Sequence, residues 1–193
     1  MVVFLGTSLT AGLGLERDAD TYVSRLEELA DSLGTPFRAV NAGVSGETSA
    51  GGLRRIDWIL RQPMDVLVVE LGANDGLRGQ DPAALRDNLI EIIRRARTRY
   101  PDVLVLVAGM EAPPNLGELY TTVFRSVFSE VAAQEDVVLI PFILEGVAGV
   151  PELNQDDRIH PTRDGHRRVA ANVWPYLEEA LSGLNSTTPV GQP

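Results

Sequence analysis

Along this chain, short runs of apolar residues alternate with longer stretches in which apolar positions recur every three or four residues. The short runs read as strands: Val2–Leu5, Phe37–Asn41, Asp65–Leu71, Val103–Val107 and Val137–Ile140. Two of them, VLVVEL and VLVLVAG, are nearly continuous in β-branched residues and Leu, as in strands covered on both faces. The spaced positions read as helices. Leu26, Leu29, Ala30 and Leu33 form one stripe, and Leu85, Leu89, Ile92, Ile93 and Ala96 a second, preceded by an Asp cap and a Pro in the first turn. Val123, Val127, Phe128 and Val131 form another. A last helix is predicted from near Thr162, carrying Val169, Val173, Tyr176, Leu177 and Leu181, with a kink at Pro175.

Strands alternating with helices imply an α/β fold, a parallel sheet with helices on both faces and right-handed crossovers. Such sheets bind ligands outside the carboxyl ends of their strands, where strand order reverses. Ser8, the NAGVSGE segment, GANDG and the loop after Val107 each follow a strand directly. They are therefore expected at one rim. No repeat or second domain is visible, so residues 1–182 are read as one domain. The remaining 183–193 segment is small and polar, carries two prolines, and is expected to be a disordered tail.

Composition narrows the chemistry. The chain has 193 residues, 44% hydrophobic and 23% charged, the balance of a globular domain with a proper core. Its net charge of −10 argues against broad contact with nucleic acid or anionic lipid, which need clustered Lys and Arg. The absence of cysteine excludes thiol catalysis, disulfides and cysteine-ligated metals. No apolar run approaches the ~18 residues of a spanning helix, so no stable membrane insertion is expected. No basic or apolar leader precedes the first strand, and location is left open: cytoplasmic as the chain stands, periplasmic or secreted if a leader was removed.

Four motifs carry candidate chemistry. His160 stands in DDRIHP, three residues after Asp157. An isolated D-x-x-H is more often a turn leading into a helix; alternatively Asp157 fixes the tautomer of His160 and frees its other nitrogen as a base. Pro161 and a capping Thr162 would hold that loop, whereas His166, beside Arg167 and Arg168, reads as a solvated helix residue. Asn74 in GANDG is either a turn former or a neutral oxyanion donor. In NAGVSGE, Gly43 and Gly46 are either plain turn glycines, or Gly46 brings its backbone N–H to that oxyanion, where a side chain would obstruct it. Ser8 in GTSL is either turn chemistry or a nucleophile at the mouth of the sheet.

Taken in order, G-T-S-L, N-A-G-x-S-G, G-A-N-D and D-x-x-H resemble the SGNH hydrolases, also called the GDSL esterase/lipase family. The resemblance runs from Val2 to about Trp174, and VELGANDGLRG and QDDRIHPTRDG look especially like the bacterial multifunctional thioesterase, arylesterase and lysophospholipase branch. It implies a three-layer αβα, flavodoxin-like fold with a five-stranded sheet in the order 2-1-3-4-5. It also implies Ser8 as nucleophile, His160 as base with Asp157 behind it, and Ser8, Gly46 and Asn74 as the oxyanion donors. No metal or organic cofactor is implied. One departure stands out: the first block of the family usually reads G-D-S, and here Thr7 holds the Asp position, so the bracing of the Ser8 loop is not supplied by the resemblance.

The expected activity is hydrolysis of short- to medium-chain esters, aryl esters included, with acyl thioesters or lysophospholipids as further substrates. Leu77, Met110, Pro113 and Leu116, on the loops Gly76–Asp81 and Met110–Leu119, are the expected pocket lining, and Glu111 nearby would disfavour anionic acyl-CoA. Two other readings are a carbohydrate deacetylase of the same family and a non-catalytic flavodoxin-like binding domain. Oligomeric state is not legible.

Overall fold

The computed structural model describes residues 1–187. Five strands, β1 (Val2–Gly6), β2 (Ala39–Gly43), β3 (Val66–Glu70), β4 (Leu104–Ala108) and β5 (Val138–Ile140), pair in parallel in the order β2-β1-β3-β4-β5. This is the expected order, and strand order reverses between β1 and β3. The predicted strand at 37–41 begins and ends two residues later, at Ala39 and Gly43, with the Val2 amide donating to the Arg38 carbonyl just ahead of the paired residues.

The helices are α1 (Ser8–Ala11), α2 (Tyr22–Ser32), α3 (Ser49–Ile59), α4 (Ala73–Leu77), α5 (Pro82–Arg99), α6 (Glu118–Glu135) and α7 (Arg163–Thr187). α2 packs with α7, and α3 with α5 and α5 with α6, which gives the three layers. α3 and α4 were not anticipated. In α3, Leu53, Ile56 and Ile59 recur at helical spacing, and Thr48 caps it by accepting the Gly51 amide. α5 starts as expected, with Asp81 accepting the Ala83 amide ahead of Pro82. α7 runs through Pro175 without interruption and continues to Thr187, past the predicted tail boundary, with Leu184 against the core. Residues 188–193 of the expected tail lie outside the described residues.

The core sits on β1 and β3, all of whose residues are buried. Val, Leu and Phe fill both faces, as two helical layers require. A single charge interrupts them: Glu70, the last residue of β3, is fully buried. His166 is also buried, at 1% exposure, which corrects its reading as a solvated helix residue. Its Nδ1 accepts the Tyr22 amide at 3.1 Å and its ring stacks on Tyr22, so it joins the start of α7 to the start of α2.

Candidate active site

Ser8 is the first residue of α1, two residues beyond the end of β1. The helix lasts barely a turn and ends at Gly12, whose φ of 74° reverses the chain. Gly46 lies in the turn after β2, where the Glu47 amide donates to the Val44 carbonyl and Gly46 adopts φ 77°. That is the position of a tight turn which demands positive φ. A side chain at Gly46 would meet no protein atom nearer than the Arg78 guanidinium at 3.9 Å, so within the protein the glycine answers to the positive φ of the turn. Gly43 is the reverse case: a Cβ there would lie 2.2 Å from the Ala11 amide nitrogen, so its absence lets the end of β2 touch α1.

Asn74 sits in the first turn of α4. Its Nδ2 donates to the Glu47 carbonyl at 2.9 Å, which orients the amide and leaves its second N–H available. Its neighbour Asp75 is buried and accepts both the amide (2.9 Å) and the hydroxyl (2.6 Å) of Ser49, fastening α4 to the start of α3. Arg55 Nε donates to Glu47 Oε2 at 2.6 Å, and its Nη2 to the Gly6 carbonyl at 3.3 Å. Arg78 Nη2 donates to the Gly46 carbonyl at 2.9 Å. The turns after β1, β2 and β3 are thereby tied together.

Asp157 and His160 come from the loop before α7. The Gln155 amide donates to the His160 carbonyl and the Thr162 amide to the Leu153 carbonyl, at 2.8 and 2.9 Å, closing the loop at its base. Gln155 Nε2 donates to the carbonyls of Leu13 and Pro161, at 2.8 and 2.9 Å, and so fixes the loop to the segment after α1. Within the loop, Arg158 adopts φ 59°, unusual for a residue with a side chain.

The Ser8 hydroxyl donates to His160 Nε2 at 2.8 Å, and His160 Nδ1–H donates to Asp157 Oδ2 at 2.6 Å. Asp157 Oδ1 accepts the amides of Ile159 (2.9 Å) and His160 (3.0 Å). The bond from His160, followed by these two amides, holds the Asp157 carboxyl down at about 2. A carboxylate so fixed sets the imidazole tautomer and faces the ring nitrogen on which positive charge would develop. Among the described residues no acceptor meets the backbone N–H groups of Ser8 and Gly46, which suits them to an oxyanion.

These groups surround one cavity of about 250 Å³, lined by Ser8, Gly46, Asn74 and His160 together with Leu77 and Met110. Pro113 and Leu116 are absent from the lining; Leu116 packs partly against the core. Their place is taken by Leu9, Leu13, Leu144 and Ile159, which the sequence reading missed. Ile159 had a signal, because it precedes His160. Leu144 had none, since it lies far from every motif. Glu111 pairs with Arg125 at 3.0 Å on an exposed part of the surface. Among the described residues no cluster of His, Asp and Glu suited to a metal is found, and no helix is long and apolar enough to cross a membrane.

Comparison with known proteins bears on the family and the fold. The GDSL-like lipase/acylhydrolase family matches residues 4–168. Esterase TesA of Pseudomonas aeruginosa is 44% identical over 93% of this chain and 89% of its own length. The thioesterase 1/protease 1/lysophospholipase L1 of Escherichia coli K12 is 36% identical over 88% of this chain and 79% of its own. Among solved structures, the psychrotrophic esterase EstA from Pseudoalteromonas sp., inhibited by monoethylphosphonate, superimposes with a TM-score of 0.87 at 29% identity, covering 94% of this chain and 98% of that one. Shared sequence over nearly the whole chain, together with the same strand order, places this protein in the GDSL-like lipase/acylhydrolase family as a carboxylic ester hydrolase.

Proposed function

We propose that this hydrolase works through an acyl-enzyme on Ser8. The observation that carries the reading is the continuous bond path from Ser8 Oγ through His160 to Asp157 at the edge of an apolar cavity. His160 Nε2 takes the Ser8 proton as Oγ attacks the ester carbonyl, and the imidazolium is balanced by Asp157. Charge on the carbonyl oxygen is met by the Ser8 and Gly46 amides and the Asn74 side chain. His160 then protonates the leaving alcohol, and water is activated by the same nitrogen to release the acid.

The cavity favours short or medium acyl groups. Its 250 Å³ is below the usual range of about 300–1,000 Å³ for small-molecule pockets, so a longer chain would lie over Leu13, Leu77 and Ile159, each about half exposed. Aryl esters suit the same opening, and neutral thioesters fit it better than acyl-CoA, whose phosphates would face the chain's net charge of −10. Among the described residues no Phe, Tyr or Trp lines the cavity, which gives a sugar no broad ring to stack on and ranks a deacetylase lower.

The test is hydrolysis of nitrophenyl esters across a chain-length series, with acyl-CoA alongside, before and after treatment with an alkyl phosphonate. Intact-mass and peptide analysis should place one phosphonyl group on Ser8, with loss of turnover in proportion. Labelling elsewhere, or full turnover after labelling, would refute the reading.

A further inference from the structure

Position 7 caps α1, yet its side chain makes no capping bond. Thr7 turns its hydroxyl to Glu70 Oε1 instead, at 2.9 Å. The cap comes from the neighbouring strand: Glu70 Oε2 accepts the Thr10 amide at 3.2 Å, the third residue of the helix and the usual partner of a capping side chain. The same oxygen accepts the Thr7 amide at 2.8 Å and the Thr10 hydroxyl at 2.7 Å. The Tyr22 hydroxyl stands 2.8 Å from Thr10 Oγ1 and completes the set by donating to it. Thr7, Thr10, Tyr22 and Glu70 are all buried to within 1%.

Gly6 belongs to the same arrangement, because a Cβ there would come within 2.0 Å of Thr10 Oγ1 and 2.6 Å of Glu70 Oε2. Every donor to Glu70 thus flanks Ser8, from the residue before it to the second residue after it. A hydroxyl at position 7 also suits this pocket better than the Asp usual in the family's first block. Two carboxyls at that distance would have to share a proton, whereas a hydroxyl donates outright. Burial pushes the Glu70 carboxyl up, and the Thr7 and Thr10 donors pull the other way.

We propose that Glu70 is a positioning residue for the nucleophile: reaching across from β3, it caps α1 and sets the direction of the Ser8 hydroxyl and amide. The proposal rests on the reading of Ser8 as nucleophile. It assigns to one buried carboxylate the bracing that Thr7 does not provide alone. Glu70 borders the floor of the Ser8 cavity but is itself fully buried, and it acts on Ser8 through Thr7 and Thr10.

The experiment compares Glu70→Ala, Glu70→Gln and Thr10→Val with the unmodified protein, measuring kcat and KM on nitrophenyl butyrate, the rate of phosphonylation at Ser8, and melting temperature. Glu70→Ala should lower kcat and the phosphonylation rate at least about 100-fold, with KM within about threefold, the scale of a misdirected oxyanion donor. Glu70→Gln keeps an acceptor for both amides and offers an N–H to Thr7 Oγ1, so it should recover most of the loss. Thr10→Val, which keeps the volume but removes one donor, should fall between them and serves alone if Glu70→Ala does not fold. Phosphonylation of Glu70→Ala or Thr10→Val at the unmodified rate would overturn the proposal, as would a Glu70→Gln protein as slow as Glu70→Ala. If the unmodified protein is not labelled at Ser8, the nucleophile reading itself fails, which is a different result.

Discussion

Ser8 and His160 stand 152 positions apart in the chain and 2.8 Å apart in space. One follows the first strand and the other precedes the last helix, so the contact exists only when the sheet is complete. Gln155 holds the two segments together through the Leu13 and Pro161 carbonyls.

Asp157→Asn should test the tautomer argument. If the Asn oxygen stays on the Ile159 and His160 amides, its NH₂ faces His160 Nδ1 and drives the ring proton to Nε2, where the Ser8 proton must go. A fall in kcat of about 10³–10⁴ with little change in KM is expected from steady-state kinetics. In the unmodified protein the carboxyl is held below its ordinary 3.8, at about 2. Its stabilising contribution is therefore complete above the ordinary value and lost only as pH falls through about 2. A carboxyl-carbon NMR titration would read that directly.

Asn74→Ala removes the proposed oxyanion donor and the bond to the Glu47 carbonyl. The expected loss is about 10²–10³ in kcat, with a modest change in KM. Turnover at the unmodified rate would take Asn74 out of the site.

Gly43→Ala and Gly46→Ala should separate space from conformation. At Gly43 the added carbon overlaps the backbone of Thr10 and Ala11, so β2 and α1 must part and Ser8 reactivity should fall with stability. At Gly46 there is room, and the penalty is the left-handed backbone, roughly 1–2 kcal/mol. Urea denaturation together with the phosphonylation rate would show a larger loss in both for Gly43→Ala.

His166 should contribute to acid sensitivity. Burial, followed by the nearby His160, pushes its imidazole from 6.5 down to about 4. As pH falls through 6.5 the unfolded chain takes up a proton that the native protein refuses until about 4. Stability therefore declines across that window, by an amount of roughly 3 kcal/mol, and levels off below it. His166→Phe keeps the stacking on Tyr22 but leaves the Tyr22 amide without an acceptor. It should be less stable at pH 7.5 by about 1–3 kcal/mol, yet lose less on acidification. Denaturation curves at pH 7.5 and 4.5 check both signs.

The sequence by itself determined the sheet and its helical layers, because β1 and β3 are covered on both faces and so are written as unbroken apolar runs. It also marked Ser8, Gly46, Asn74, Asp157 and His160, through the resemblance of four motifs in order to the SGNH hydrolases. It did not show α3, whose Gly51 and Gly52 obscure the apolar spacing, nor the burial of His166, whose neighbours Arg167 and Arg168 are exposed. Tertiary structure alone decided what Glu70 and Thr7 do. A carboxylate at a strand end reads as solvent-facing until the fold brings the start of α1 over it, and only then do the Thr7 and Thr10 donors converge on its oxygens. The lining by Leu144 has the same origin: residues remote in the chain meet at the rim because every parallel strand ends there.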